Sequence, residues 1–435
     1  MTTRESLEIP VIIACGFFVM NNVTMMTEQR AALANPATGE PARADLRLAP
    51  IIAFVGLWLG SSWSVVGAWF HSILPGGWGF IAAVLALIPI PVWRLIRGFS
   101  GLTYPSAVTR LFVFRPFWYS MLFSPLIAAG ILLGALIGLP FGEIGSFGRW
   151  SLAISGPLLG LVVIKGYMDS RRLVVKRLNA HLPRLFSNFD GLRVVQISDL
   201  HVGPHTSRAF LERVRRAVQN EKPDLIAITG DQVDDFVRDV EHFNAAFGEL
   251  RASLGVFVVP GNHDVYAGWE GVRRGLQRAG FTVLVNESVA LERGDQRLWL
   301  AGTGDPAASG PPRRSPKIAP NINRTLRAIG EGEPVIALAH NPALWPELAR
   351  CGVDLTLSGH THSGQFAVPR LSWSLASLFL KHAMGPHRHG QSFLYINPGT
   401  NYWGLPLRFG TPPEVTVLLL KSNKQDESGF SETQA

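Results

Sequence analysis

Apolar and polar positions follow two different patterns along this chain. Over residues 48–169 the apolar positions run almost unbroken. Four stretches there, at about 49–74, 78–96, 117–140 and 150–168, carry few or no charges, with Trp or Tyr near several ends. Each reaches the roughly 18–20 residues needed to cross about 30 Å of hydrocarbon. The pattern predicts a helical membrane domain of four spans over 48–169. Residues 10–20 (PVIIACGFFVM) are apolar too, but too few to span; no strong basic segment precedes them and no small-residue cleavage site follows closely. They predict an interfacial or buried segment within an N-terminal region 1–47.

From residue 170 the period changes. Leu173–Leu178 alternates as a strand rather than a flexible tether. Apolar runs at Leu192–Ser198, Leu225–Thr229 and Gly255–Pro260 read as buried strands, with a basic amphipathic helix over 208–220 and another helix over about 238–252. Later runs at Thr282–Val285, Arg297–Gly302, Val335–Ala339, Leu355–Ser358 and Phe393–Ile396 are short and β-branched or apolar. Alternating α and β elements followed mostly by strands predict a layered α/β sandwich over 170–420. The polar stretch 421–435 reads as a disordered tail.

Composition sharpens the division. Charged residues make up 17% of the chain, against about 25% in a typical soluble protein. The net charge of +8 would suit nucleic acid, but much of the excess flanks apolar stretches: Arg94, Arg97, Arg110 and Arg115, then Arg171, Arg172, Lys176 and Arg177. Basic flanks of that kind are the mark of the cytoplasmic side of a membrane, and they argue against a nucleic-acid partner. The intervening loops at 75–77 and 141–149 hold only Glu143 and Arg149. The alternation predicts both termini inside and the 170–420 domain cytoplasmic, against the inner membrane. Beyond Lys165 near an end, the spans carry almost no charge, so no ion pathway is evident. Cys15 and Cys351 are far apart and read as free thiols.

The chemistry lies where the strands stop. The first buried strand runs into Ser198-Asp199-Leu200-His201, the second into Gly230-Asp231 and the third into Gly261-Asn262-His263-Asp264. The runs at 335–339 and 355–358 lead into His340-Asn341 and Gly359-His360-Thr361-His362. Ligand sites of α/β sheets form at the carboxyl ends of strands, so these ends converge. Oxygen and imidazole donors without thiolate suit Mn, Fe or Zn in a catalytic rather than a structural site. Two metals about 3.5–4 Å apart need a shared carboxylate. Each pair alone is commonplace; all five in order, each after an apolar strand, are not.

The ordered set resembles the calcineurin-like metallophosphoesterase family over roughly 187–420. QISDLHVG, PGNHD, SGHTHSGQ and NPGTNYWGLPLRFGTPPEV are similar to a membrane-associated, phosphodiesterase-like branch that includes a UDP-diacylglucosamine hydrolase. The apolar N-terminal part resembles transmembrane proteins with a metallophosphoesterase domain. The resemblance implies a four-layer α/β/β/α sandwich holding two divalent metal ions, Mn, Fe or Zn. By position, Asp199, His201, Asp231 and His362 would hold one, and Asp231, Asn262, His340 and His360 the other, with Asp231 bridging. His263 would stabilise the phosphoryl oxygens or protonate the leaving group, and Asp264 would orient His263.

What the resemblance implies is a phosphoester hydrolase, a phosphodiesterase or pyrophosphatase, using a bimetal-activated hydroxide. The tether to the membrane suggests a lipid-linked substrate, although it could serve localisation alone. The alternative is a membrane scaffold or sensor that keeps the fold without catalysis; no position of the ligand pattern is missing, which argues against it. Several residues stay open in role: Asp234 and Asp235 beside the bridge or as a helix cap, His205 toward substrate, and His382, His387 and His389 as a loop over the site or a solvated patch. Arg408 could meet a phosphate or a structural carboxylate.

Overall fold

The computed structural model describes residues 48–72, 77–93, 106–309, 315, 317–422 and 429–432. The stretch 10–20, Cys15, Arg94 and Arg97 lie outside the described residues. The chain divides into two compact units, Met1–Val162 and Val163–Ala435.

The first unit is helical. Its elements are α1 (Leu48–His71), α2 (Gly77–Leu87), α3 (Arg115–Gly138) and most of α4 (Ile144–Ser170). Among the described residues two helical stretches, Ala107–Phe141 and Ile144–Ser170, are long and apolar enough to cross a membrane. This is fewer than the four spans the sequence predicts. Among the described residues, the apolar helix around α2 covers Gly77–Trp93. Small residues bring α3 and α4 together: Ser151 Oγ donates to the Gly130 carbonyl, and a Cβ on Gly134 would lie 2.5 Å from Ser151 Cβ. Such close backbone approach is the usual way apolar helices pack in lipid.

The second unit holds two large sheets. One has the order β15-β1-β14-β2-β3-β4-β5, built from β1 (Val174–Leu182), β2 (Arg193–Ile197), β3 (Leu225–Thr229), β4 (Val256–Val259), β5 (Thr282–Val283), β14 (Glu414–Ser422) and β15 (Gly429–Glu432). The other runs β12-β13-β9-β8-β7-β6, from β6 (Glu287–Arg293), β7 (Gln296–Gly302), β8 (Val335–Leu338), β9 (Leu355–Ser358), β12 (Gly385–His389) and β13 (Ser392–Ile396). Strands β2 to β5 are mutually parallel, as are β7, β8, β9 and β13.

Period-two alternation decides the layering. In β3, Leu225 and Ala227 join Leu300, Ile336 and Leu357 of the other sheet in one buried cluster. Their neighbours Ile226 and Ile228 face the opposite way, onto α5 (Arg208–Asn220), α6 (Val240–Phe247) and α7 (Asn262–Arg278) through Val214, Phe243 and Leu276. The outer face of the second sheet buries Ala337 and Val335 under Ile322 and Leu348, from the short helices α8 (Ile322–Leu326) and α9 (Trp345–Arg350). The order is helix, sheet, sheet, helix.

Two stretches differ from expectation. Residues Gly429–Glu432, inside the stretch read as a disordered tail, form an edge strand antiparallel to β1. Phe430 supplies the reason, since its ring packs beside Phe393 and Tyr395. Strand β14 inserts between β1 and β2, pairing parallel with one and antiparallel with the other.

Candidate metal centre

Five parallel strands, three from one sheet and two from the other, end at one place. Asp199 and His201 follow β2, Asp231 follows β3, and Asn262 and His263 open α7 after β4; His340 follows β8, and His360 and His362 follow β9. Asp199, His201, Asp231, His360 and His362 all have positive φ, between 41° and 71°. That region is strained for side chains bulkier than Gly, and its concentration at a buried cluster marks a site whose geometry the surrounding fold enforces.

The donor atoms form two groups that share one carboxylate. In the first, His362 Nε2 lies 3.0 Å from His201 Nε2 and 3.3 Å from Asp199 Oδ1. In the second, Asn262 Oδ1 lies 2.8 Å from His360 Nδ1 and 3.1 Å from His340 Nε2. Asp231 Oδ2 reaches both, at 3.6 Å from His201 Nε2 and 3.2 Å from His340 Nε2.

Hydrogen bonds behind the rings fix which nitrogen faces inward. His340 Nδ1 donates to the Thr229 carbonyl at 2.8 Å, which turns Nε2 into the cluster; burial opposes charge on the ring, but Asp231 and Asp199 raise it well above the usual range. His201 Nδ1 faces Asp234 Oδ1 at 3.3 Å. His201 Nε2 lies 3.0 Å from His362 Nε2, and His362 Nδ1 accepts from the Arg408 guanidinium. Burial pushes His201 down to about 4, helped by the charge of His263; burial and the Arg408 guanidinium hold His362 well below the usual range. Two neutral imidazole nitrogens facing one another beside buried carboxylates are the donor set of a cation site, and the residues present fit divalent metal.

The carboxylates divide by environment. Burial raises the Asp199 carboxyl. Burial acts the same way on Asp231, but His340 and His263 outweigh it and hold the group well below the usual carboxylate range. Burial opposes charge on His263, yet the carboxylates of Asp231, Asp235 and Asp234 carry it up to about 10. His263 Nδ1 lies 2.9 Å from the Asp234 carbonyl, and Tyr266 and Trp403 flank the ring at 5.5 and 5.6 Å.

Asp264 is placed differently from the expectation that it orients His263. Its carboxylate is fully buried and accepts from the backbone N–H groups of Gly261, Asp231, Gln232 and Val233 at 2.9–3.2 Å. It stands three residues into α7, where a carboxylate satisfies exposed N–H groups, and so it clamps the Asp231 loop instead of touching the imidazole.

The groups around His263 are Asp234 and Asp235, with Asp234 also behind His201 and 3.6 Å from His205. Neither is a helix cap; that position before α6 belongs to Asp239. Arg408 is also not a phosphate partner. Its guanidinium is fully buried, donates to the carbonyls of Pro398 and Asn401, and sits 3.0 Å from His362 Nδ1. His382, His387 and His389 gather around Trp345, at 4.9, 6.3 and 6.4 Å, and join none of the metal-binding groups among the described residues. Asp305 was not legible as a site residue: it is buried near His340 and Asp231, and burial lifts its carboxyl to about 6. No motif surrounds it in the sequence, so only the fold brings it there.

Two glycines owe their place to close approach. A Cβ on Gly359 would fall 2.1 Å from Asp199 Oδ2, and one on Gly261 2.2 Å from Asp231 Oδ1. Gly359→Ala is therefore expected to push Asp199 off its position and lower any metal-dependent activity by about 10². Metal content and rate measured on the same preparation check this, and unchanged values in a folded variant would refute it.

The comparisons agree with the geometry. Residues 192–364 match the model of the calcineurin-like phosphoesterase family. A metallophosphoesterase of Helicobacter pylori is 34% identical over 54% of this chain, and the chain spans 61% of that relative's length. A Danio rerio transmembrane protein with metallophosphoesterase domain is 30% identical over 64% of each chain. The UDP-2,3-diacylglucosamine pyrophosphatase LpxG of Chlamydia trachomatis is 28% identical over 64% of this chain and 98% of its own length. The fold and site define a metal-binding α/β/β/α phosphoesterase architecture. The chain belongs to the calcineurin-like phosphoesterase family.

Proposed function

We propose that this protein is a membrane-anchored, binuclear-metal phosphoester hydrolase, with Asp199, His201, Asp231 and His362 holding one divalent ion and Asp231, Asn262, His340 and His360 the other. The observation that carries the reading is Asp231 Oδ2 lying within 3.6 Å of His201 Nε2 and 3.2 Å of His340 Nε2, one from each donor group. Two divalent ions at such a site lower the pKa of water and neutralise phosphoryl oxygens. The chain's own residues do the remaining work. The Thr229 carbonyl orients His340, and Asp234 lies 3.3 Å behind His201. His263, held as a cation by its carboxylate neighbours, faces the substrate as a phosphoryl partner and proton donor to the leaving oxygen. Tyr266 and Trp403 wall that imidazole and restrict water around it.

The substrate class is a phosphodiester or pyrophosphate at the lipid surface. The likeness to LpxG, named for a lipid pyrophosphate, and the apolar helices support it. Lys/Arg clusters on alternate loops support four spans with the catalytic domain on the cytoplasmic face. The test is a panel of phosphodiesters, phosphomonoesters and lipid pyrophosphates assayed with the full chain and added Mn. Hydrolysis of diesters or pyrophosphates is expected. Inactivity across the panel in a preparation that binds metal would favour a non-catalytic scaffold or sensor instead.

Metal should also stabilise the fold, because the buried imidazoles and carboxylates gain partners. Chelation is expected to lower the Tm, and Mn restored at about 100 times its Kd to return about 2.7 kcal/mol. Thermal unfolding with and without chelator reads this directly, and a Tm indifferent to metal would count against the site.

A further inference from the structure

Beyond the apolar helices, the large apolar side chains that stand exposed among the described residues are Val237, Leu371, Leu378, Phe379 and Leu380. Four of these five fall between positions 371 and 380. A soluble surface seldom concentrates such groups without a partner.

The segment that carries them is fixed at its base and open at its tip. It contains β10 (Ala367–Val368), β11 (Trp373–Ser374) and short 3₁₀ turns at Pro369–Leu371 and Leu375–Leu378. The Leu375 N–H donates to the Phe366 carbonyl at 2.8 Å, and Thr361 Oγ1 donates to the Ala383 carbonyl at 2.7 Å. Thr361 stands between His360 and His362, so the segment is anchored at the rim of the metal centre. Residues 377–381 are exposed.

The same base is linked to the end of an apolar helix through residues 408–410. The Phe366 ring stacks on Phe409 at 4.6 Å and 9°. On either side of Phe409, the Arg408 N–H donates to the Gly166 carbonyl at 2.8 Å and the Gly410 N–H to Asp169 Oδ2 at 3.3 Å. Gly166 and Asp169 are in the last turns of α4, where Ile164 and Met168 are 58% and 65% exposed. All of these residues belong to one compact unit, and α4 is long and apolar enough to cross a membrane. Charge agrees with lipid as the partner. No Asp or Glu occurs from 355 to 413, whereas Arg370 and Lys381 bracket the apolar tip. Apolar residues flanked by basic ones bind the headgroup region of anionic bilayers.

We propose that residues 371–380 form an apolar foot that inserts into the same bilayer that α4 crosses, holding the rim of the metal centre at the lipid surface so that it acts on phosphoesters carried by membrane lipids. The foot itself is independent of catalysis; the statement about substrate rests on the hydrolase reading.

Two measurements on the full chain in nanodiscs of phosphatidylcholine and phosphatidylglycerol test it. In the first, Cys15 and Cys351 are replaced by Ser, and an environment-sensitive fluorophore is attached to Phe379→Cys, with Glu249→Cys as a solvent-facing control. The 379 probe is expected to emit to the blue of the control and to be quenched by lipids brominated on their acyl chains. Emission like the control overturns the proposal. So does a blue shift without quenching, since protein rather than lipid would then cover the foot.

In the second, Leu378→Ser with Phe379→Ser is assayed on two substrates. KM for a bilayer-embedded phosphodiester is expected to rise about tenfold, while hydrolysis of a water-soluble aryl phosphodiester stays within about twofold. Equal effects on both substrates would overturn the foot's role. Loss of the soluble activity in the parent protein would instead count against the hydrolase reading and leave the fluorescence result standing.

Discussion

Asp231→Asn is expected to lower hydrolysis of an aryl phosphodiester by about 10³ or more, because several kcal/mol of charge stabilisation at two cations depends on that one anion. The substitution keeps size and shape but removes the charge that His340 and His263 maintain far below the usual carboxylate pKa. Asp231 Oδ1 would still accept from the His263 N–H, at 2.8 Å in the parent, so the loop should persist. Bound metal, read by elemental analysis, is expected to fall from about two ions per chain to one or none. His360→Ala removes a donor from the second group and leaves Asp199, His201 and His362 in place. It should therefore abolish activity while retaining more metal than Asp231→Asn. Full activity in both variants would sink the two-metal assignment.

The second large effect is at His263. Replacement by Ala is expected to slow esters with poor leaving groups by about 10²–10⁴, and nitrophenyl esters much less, because a good leaving group needs no proton. The argument rests on placement. His263 Nδ1 is engaged with the Asp234 carbonyl and faces Asp234 and Asp235, which leaves Nε2 for the substrate. Those carboxylates, together with Asp231, keep the ring protonated despite its burial. A slope of log rate against leaving-group pKa that steepens in the variant supports the role of acid. An equal loss for every leaving group would reduce His263 to an electrostatic partner of the phosphoryl oxygens.

Much of the site is legible in the sequence, for a physical reason. Each donor follows directly on a short apolar strand, so local sequence fixes both the strand and the polar group at its end. Asp199, His201, Asp231, Asn262, His340, His360 and His362 were all marked in that way, and the structure brings them within a few ångströms. Leu225–Thr229 and Leu355–Ser358 were bounded to the residue, because turn residues punctuate them on both sides.

Roles that depend on direction were not readable. GNHD places Asp264 next to His263, but the start of α7 turns its carboxylate onto four backbone N–H groups, and Asp234, twenty-nine positions earlier, takes the place beside the imidazole. Arg408 stayed open between a phosphate and a structural partner, because a guanidinium carries no sign of its burial.

By itself, then, the chain determined which strand ends bear the candidate ligands and that an apolar region precedes an α/β domain, since both follow from local periodicity. Only tertiary structure decided that the candidate ligands come from two sheets, that β14 enters between β1 and β2, and that Asp231 stands between the two donor groups. It also linked the base of the apolar 371–380 segment, through Phe409 and its neighbours, to the end of α4. Those outcomes turn on pairings between residues far apart in sequence, which loop closure and burial select and no local pattern encodes.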